Sequence, residues 1–242
     1  MKINDLKDKY KDKLCFIYGA GPSLYQIREE MLSDYVSITV NSGIIKQPNC
    51  DFFVSDDTGV NNWSYFKKIV PKSNCIKLLY RDKLEKHSKG LDKVILYDHT
   101  WWFSPKDKKY NLDGLRLTKE EPIIGARTSM GSAVHLAYIM GCNPIVLLGN
   151  DCCMKEGIRY FWQYHAYGFR PYRFGGTTFS KKTQHIGFDS KAFVEYWEKL
   201  AEVNKELLED ELKIIDCSES ILECFEKLTI EEILKKYKNN KK

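Results

Sequence analysis

Long apolar runs are missing from this chain. None approaches the ~20 residues that a membrane-crossing helix needs. The opening stretch Met1–Lys13 carries no apolar signal core, which argues against export. There is no Cys-x-x-Cys pair, so a zinc ribbon is not expected, although the chain has eight cysteines. Cys15, Cys142 and Cys217 lie in or beside apolar runs, where reduced thiols pack as small hydrophobes. A reducing cytoplasm is the compartment that fits. No Gly-Lys-Ser/Thr occurs after the first glycine turn, which excludes a Walker A loop, and no third glycine completes a dinucleotide fingerprint. Internal repeats and low-complexity linkers are also lacking. The net charge is only +5, and much of it sits in the tail 235–242, which reads as a solvated, frayed end. Without a basic face interleaved with aromatics, no specific nucleic acid is expected as a partner.

What is present centres on Leu14–Leu24. Five mostly apolar residues read as a buried strand. Gly19-Ala20-Gly21 then breaks the run, and Pro22-Ser23 can open a helix, because proline tolerates a first helical turn. Strand, glycine turn and helix N-terminus together make an anion site with outward N–H groups, to which the Ser23 hydroxyl adds a donor. An ordinary strand-to-helix turn is the plainer alternative.

Further strands are expected at 36–40, 51–55, 75–80, 94–97, 144–148 and 212–217, alternating with helices. This alternation predicts an α/β, Rossmann-like chain: a mostly parallel sheet with helices on both faces. One domain is expected over 1–242, with an aromatic-rich insertion at 152–189. The second strand ends at Asn41-Ser42-Gly43, the third at Asp56-Asp57, and the sixth at Gly149-Asn150-Asp151. Ligands of parallel sheets bind outside such strand ends. Thr128 and Ser129 open an apolar helix and read first as N-caps. The segment 98–122 reads as a surface excursion, Ser190–Leu208 as one amphipathic helix, and 220–223 and 229–232 as capping boxes of short closing helices. Tyr160 and Trp162 in the insertion suit either stacking on a ligand ring or packing as a satellite cluster. His135 lies within the apolar helix and reads as a satisfied core residue, whereas His87 and His99 have no context.

Gly19-Ala20-Gly21-Pro22-Ser23-Leu24 resembles the GxGPSL opening of two related groups. One is the bacterial sialyltransferases of glycosyltransferase family 42. The other is a Rossmann-like family that includes Maf-type flagellin glycosyltransferases and archaeal 6-hydroxymethyl-dihydropterin pyrophosphokinases. Thr39-Val40-Asn41, the strand Asp51–Asp57, Thr128–Gly131, Ile139–Asp151 and Gln184–Gly187 resemble further landmarks in the same order. The sialyltransferases carry tyrosines shortly after the G-x-D strand, and only Tyr160 matches one. The Asp56-Asp57 pair leans toward the second group.

The resemblance implies glycosyl transfer from a nucleotide-activated, sialyltransferase-like donor to a small-molecule or glycan acceptor. The donor phosphate would lie over Gly19, Ala20, Gly21, Pro22 and Ser23. Asn41, Ser42, Thr128, Ser129, Gly149 and Asn150 would hold the nucleotide, with Asp151 on a ribose or cytidine-type group. Asp56, Asp57, Tyr160 and Trp162 would face substrate. His185 would take the acceptor proton, near-neutral pH suiting an imidazole, with His165 as second choice. No cofactor is required by this reading. The alternative is a Mg²⁺-dependent pyrophosphokinase with Asp56 and Asp57 on the metal. A non-catalytic nucleotide-binding protein and a homo-oligomeric assembly are also left open.

Overall fold

The computed structural model describes residues 1–28, 32–57, 59, 63–101, 103–104, 109–125, 128–155, 158–164 and 190–242. Among the described residues the strands are β1 (Cys15–Tyr18), β2 (Val36–Val40), β3 (Phe52–Ser55), β4 (Ile76–Tyr80), β5 (Val94–Tyr97), β6 (His99–Trp101), β7 (Phe103–Ser104), β8 (Lys109–Tyr110), β9 (Ile123–Gly125), β10 (Ile145–Leu148), β11 (Ile214–Asp216) and β12 (Glu226–Lys227). The helices are α1 (Ser64–Lys68), α2 (Arg81–Leu84), α3 (Ser129–Ile139), α4 (Ser190–Val203), α5 (Lys205–Asp210) and α6 (Ile230–Lys236). Eight strands form one sheet in the order β12-β11-β10-β1-β2-β3-β4-β5, every pairing parallel. The expected α/β, Rossmann-like class is observed.

The strands are apolar because both faces are covered. Cys15 and Ile17 of β1 point to the face that packs α3 and α4; Phe16 and Tyr18 point to the other, against Leu24, Tyr35, Phe161 and Ile233. Successive side chains alternate faces, so a continuous apolar run serves two cores. α3 is buried almost all round. It lies between the main sheet and the small parallel pair β6–β9, touching β1, β2, β3 and β10 on one side and β9 on the other.

Several expectations change here. No α-helix follows β1 among the described residues: Pro22–Gln26 is a five-residue 3₁₀ turn. Part of 98–122 is core, since Leu115 and Leu117 are buried with Ile123 and Ile124. The helix from Ser190 breaks at Asn204, whose carboxamide takes the Leu117 N–H (2.8 Å) and donates to the Leu115 carbonyl (2.9 Å). Buried polar backbone must be paired, so the break satisfies that loop. Residues 220–223 form no helix, because the Ser220 hydroxyl donates to Asp216 instead. The box at Thr229–Glu232 does cap α6. The tail is docked rather than frayed: Leu14 N–H bonds the Asn240 carbonyl (2.9 Å), and Lys242 bridges Asp51 (2.9 Å). All eight cysteines are free thiols, and Cys15 and Cys142 are buried.

His135 is the satisfied core residue it was expected to be. Its Nδ1 accepts from Ile124 N–H (2.9 Å) and its Nε2–H donates to the Thr118 carbonyl (2.8 Å), tying the 118–124 loop to α3. Burial pushes its pKa down from 6.5 to about 4, against the Thr118 bond. Between those values the unfolded chain binds a proton that the folded chain refuses. Stability is therefore whole above about pH 6.5 and falls as pH drops toward 4, by about 3 kcal/mol at ~1.4 kcal/mol per unit. Urea unfolding of His135→Gln should show a lower stability at neutral pH but a much flatter slope between about pH 6.5 and 5. An unchanged slope would assign the acid sensitivity elsewhere.

Candidate functional site

The chain leaves β1 on one side, runs through β2 to β5, and returns on the other side as β10. Loops after β1 and β10 therefore diverge, which makes a topological switch point at their carboxyl ends. Here the two loops are bolted together. Gly19 N–H bonds the Leu148 carbonyl and Gly21 N–H the Gly149 carbonyl, both at 2.8 Å. Ser23 gives its N–H (3.2 Å) and hydroxyl (2.9 Å) to the Asp151 carboxylate. A Cβ on Gly21 would sit 2.0 Å from Asp151 Oδ2, and Gly149 has φ +63°. Both glycines are thus required by close approach and backbone conformation. Burial pushes the Asp151 pKa up, with the two Ser23 bonds opposing.

This corrects the anion cradle expected from the sequence. The N–H groups of Gly19, Gly21 and Ser23 are spent on the chain itself, and the Ser23 hydroxyl with them. The short 3₁₀ turn also supplies no long helix dipole.

A cleft of about 370 Å³ opens along these strand tips. Gly19, Ala20, Gly21, Gly149, Asn150 and Asp151 line one end, Asn41, Thr128 and Ser129 the middle, and Asp56 and Asp57 the end toward β3, with Tyr160 also on the wall. Pro22, Ser23, Ser42 and Trp162 do not line it. Those four are buried behind it, the Trp162 indole donating to the Ser42 hydroxyl at 3.2 Å. His185 and His165 lie outside the described residues. Asn41 takes φ +50°, a conformation asparagine tolerates better than most residues. Its carboxamide accepts from Ser55 (2.8 Å) and reaches Ser129 (3.5 Å), joining β2, β3 and the start of α3. Thr128 caps α3 through Met130 N–H (3.3 Å).

The two aspartates are not equivalent. Asp56 is buried and accepts from Ser132 (2.7 Å) and Tyr97, with His99 Nε2 at 3.6 Å. Burial pushes its carboxyl up, but His99, then Tyr97 and Ser132, outweigh this and hold it below the usual range. His99 itself is stacked on Tyr80, ring centres 4.0 Å apart. Asp57 accepts from Gly59 N–H (2.8 Å). No group of three or more His, Cys, Asp or Glu able to hold a metal ion occurs among the described residues.

Sequence reasoning missed Lys83, Arg159, Met130, Cys152, Cys153 and Phe193, which also line the cleft. Lys83 follows β4 directly, so the strand-end rule, carried one strand further, finds it. Arg159 has only its place beside Tyr160 as a signal.

No protein-family model matches the chain, and no curated protein does. Among solved structures, the chain is similar to the MAf glycosyltransferase from Magnetospirillum magneticum AMB-1, with a TM-score of 0.55 and 14% identity. The likeness covers 93% of this chain and 37% of that one, so the chain spans little over a third of the neighbour's length. At that identity the likeness is one of fold.

The joint between the loops makes Gly21→Ala costly. The added Cβ meets both the Asp151 carboxylate and the Gly149 carbonyl (2.7 Å). A loss of about 2–3 kcal/mol in urea unfolding is expected, at the upper end for overpacking. A loss below about 0.5 kcal/mol, within the range of a neutral surface change, would mean that the loops separate freely.

Proposed function

We propose that the chain is a glycosyltransferase that moves a sugar from a nucleotide-activated donor to an acceptor hydroxyl. The observation that carries this reading is the convergence of Gly21, Asn41, Ser129 and Asp151, from four separate stretches of chain, on one cleft at the switch point. The fold likeness to a protein named as a glycosyltransferase supports it.

In this reading the cleft beside Gly19–Gly21 and Gly149–Asp151 takes the nucleotide end of the donor. Asn41, Thr128 and Ser129 supply hydrogen-bonding groups to the nucleotide, and Asp151 accepts from a sugar or base donor. The sugar extends toward Asp56 and Asp57. His185 takes the acceptor hydroxyl's proton as that oxygen attacks the anomeric carbon; the bond from that carbon to the phosphate oxygen breaks, and the nucleotide leaves with the electron pair.

A Mg²⁺-dependent pyrophosphokinase fits less well. Of the two aspartates that would hold its metal, Asp56 is already taken by Ser132, Tyr97 and His99. No step is therefore routed through a metal. A non-catalytic binding protein would share the cleft but turn nothing over.

Thermal unfolding with CMP, CDP, UDP and ATP tests the binding half. A ligand at about 100 times its Kd should add ~2.7 kcal/mol of stability, and no response to any of the four would overturn the reading. Release of nucleotide from CMP- and UDP-sugars tests the chemistry. His185→Ala should lower it by about 10²–10⁴-fold, and undiminished turnover would remove His185 from the role.

A further inference from the structure

We propose that Arg159, not the glycine loop, is the residue that binds the phosphate of the nucleotide in this cleft; this rests on the nucleotide reading above. A phosphate needs N–H donors and positive charge. The glycine loop offers little of either, because the N–H groups of Gly19, Gly21 and Ser23 are paired within the chain and the Asp151 carboxylate already sits on the Ser23 donors. A phosphate placed there would displace those bonds and meet a carboxylate.

Among the described residues that line the cleft, two are lysine or arginine: Arg159 and Lys83. Lys83 lies on α2, past the end of β4 and three strands from β1. That is roughly 14 Å at the ~4.8 Å spacing of neighbouring strands. Arg159 belongs to the segment anchored on the glycine loop itself, since two residues on, Phe161 N–H bonds the Ala20 carbonyl at 3.1 Å. The N–H groups of Arg159 and Tyr160 both donate to Gln163 Oε1, at 2.8 and 2.7 Å, which fixes the backbone carrying the guanidinium. The residue is 7% exposed, and its guanidinium lies over the Tyr160 ring, 5.5 Å from its centre. A weakly hydrated, planar guanidinium suits such a place better than an ammonium does. Its fork matches two oxygens of a phosphate mono- or diester, a geometry that is both stronger and more selective than a point charge.

The test compares a nucleotide with its own nucleoside, so that only the phosphate differs. Titration calorimetry with CMP against cytidine, and UDP against uridine, is run on the wild type, Arg159→Gln and Arg159→Lys. The wild type should prefer one nucleotide over its nucleoside by at least about tenfold, as a charge-assisted contact implies. Added salt should weaken that preference. Arg159→Gln should bring nucleotide and nucleoside within about twofold while leaving nucleoside affinity unchanged, a pattern that general loosening of the fold does not produce. Arg159→Lys, which keeps the charge and loses the fork, should fall between and serves if the glutamine variant does not fold. A wild-type preference retained in both variants overturns the assignment to Arg159 and leaves the nucleotide reading intact. Failure of wild type to bind any of the four compounds overturns both.

Discussion

The carboxylate of Asp151 on the N–H and hydroxyl of Ser23 is the contact on which the site depends. A buried carboxylate is expensive unless hydrogen-bonded, and Ser23 supplies the bonds across 128 residues of sequence. The contact closes the gap that the reversal of strand order opens between the loops after β1 and β10. It also accounts for the local sequence. Gly21 must lack a Cβ because Asp151 occupies that space, and Gly149 must turn through positive φ to bring its carbonyl under Gly21 N–H. A glycine pattern of the kind usually read as room for a ligand is, in this chain, first of all room for another loop.

At the other end of the cleft a second buried carboxylate is handled differently. Asp56 draws on Tyr97 from β5, Ser132 from α3 and His99 from β6, so three elements converge on one acceptor. Its neighbour Asp57 is held only locally among the described bonds, through Gly59 N–H. Adjacent aspartates thus have separate duties: Asp56 holds the floor of the cleft to α3, and Asp57 keeps a carboxylate at its surface. The same economy governs Asn41, whose carboxamide links β3 to the start of α3 while its backbone takes a strained turn.

Much of the fold was legible because burial on both faces writes strands as plain apolar runs. All seven expected strands occur within the expected spans, and the tips of β1, β2, β3 and β10 share one cleft. What sequence could not show is which acceptor takes which donor. Gly19-Ala20-Gly21 has the same letters whether its N–H groups face a ligand or the Gly149 carbonyl. Nor could local pattern foresee that Asn204 would leave its helix to serve Leu115 and Leu117, or that Ser220 would turn to Asp216 instead of capping a helix. The docked tail is the same kind of miss. Lysines at a chain end read as solvated until Asp34 and Asp51 are seen beside Lys241 and Lys242.

The charge on the cleft wall then constrains any ligand. Three carboxylates and two basic side chains line it among the described residues. Two of the carboxylates are committed, Asp151 to Ser23 and Asp56 to His99 and its neighbours. The donors on them partly offset their fields, so an anion entering near β1 meets less repulsion than a count of aspartates suggests. The loop that carries Arg159 is tied to Ala20, which places a cation beside the glycine turn, whereas Asp57 and Lys83 stand toward β3 and β4. The cleft is therefore polarised along its length, with fixed hydrogen-bonded groups and a guanidinium at one end and an aspartate and a lysine at the other. On the proposed reading, the phosphate of a nucleotide sugar lies at the guanidinium end and the hydroxyls of its sugar lie at the end lined by Asp57 and Lys83.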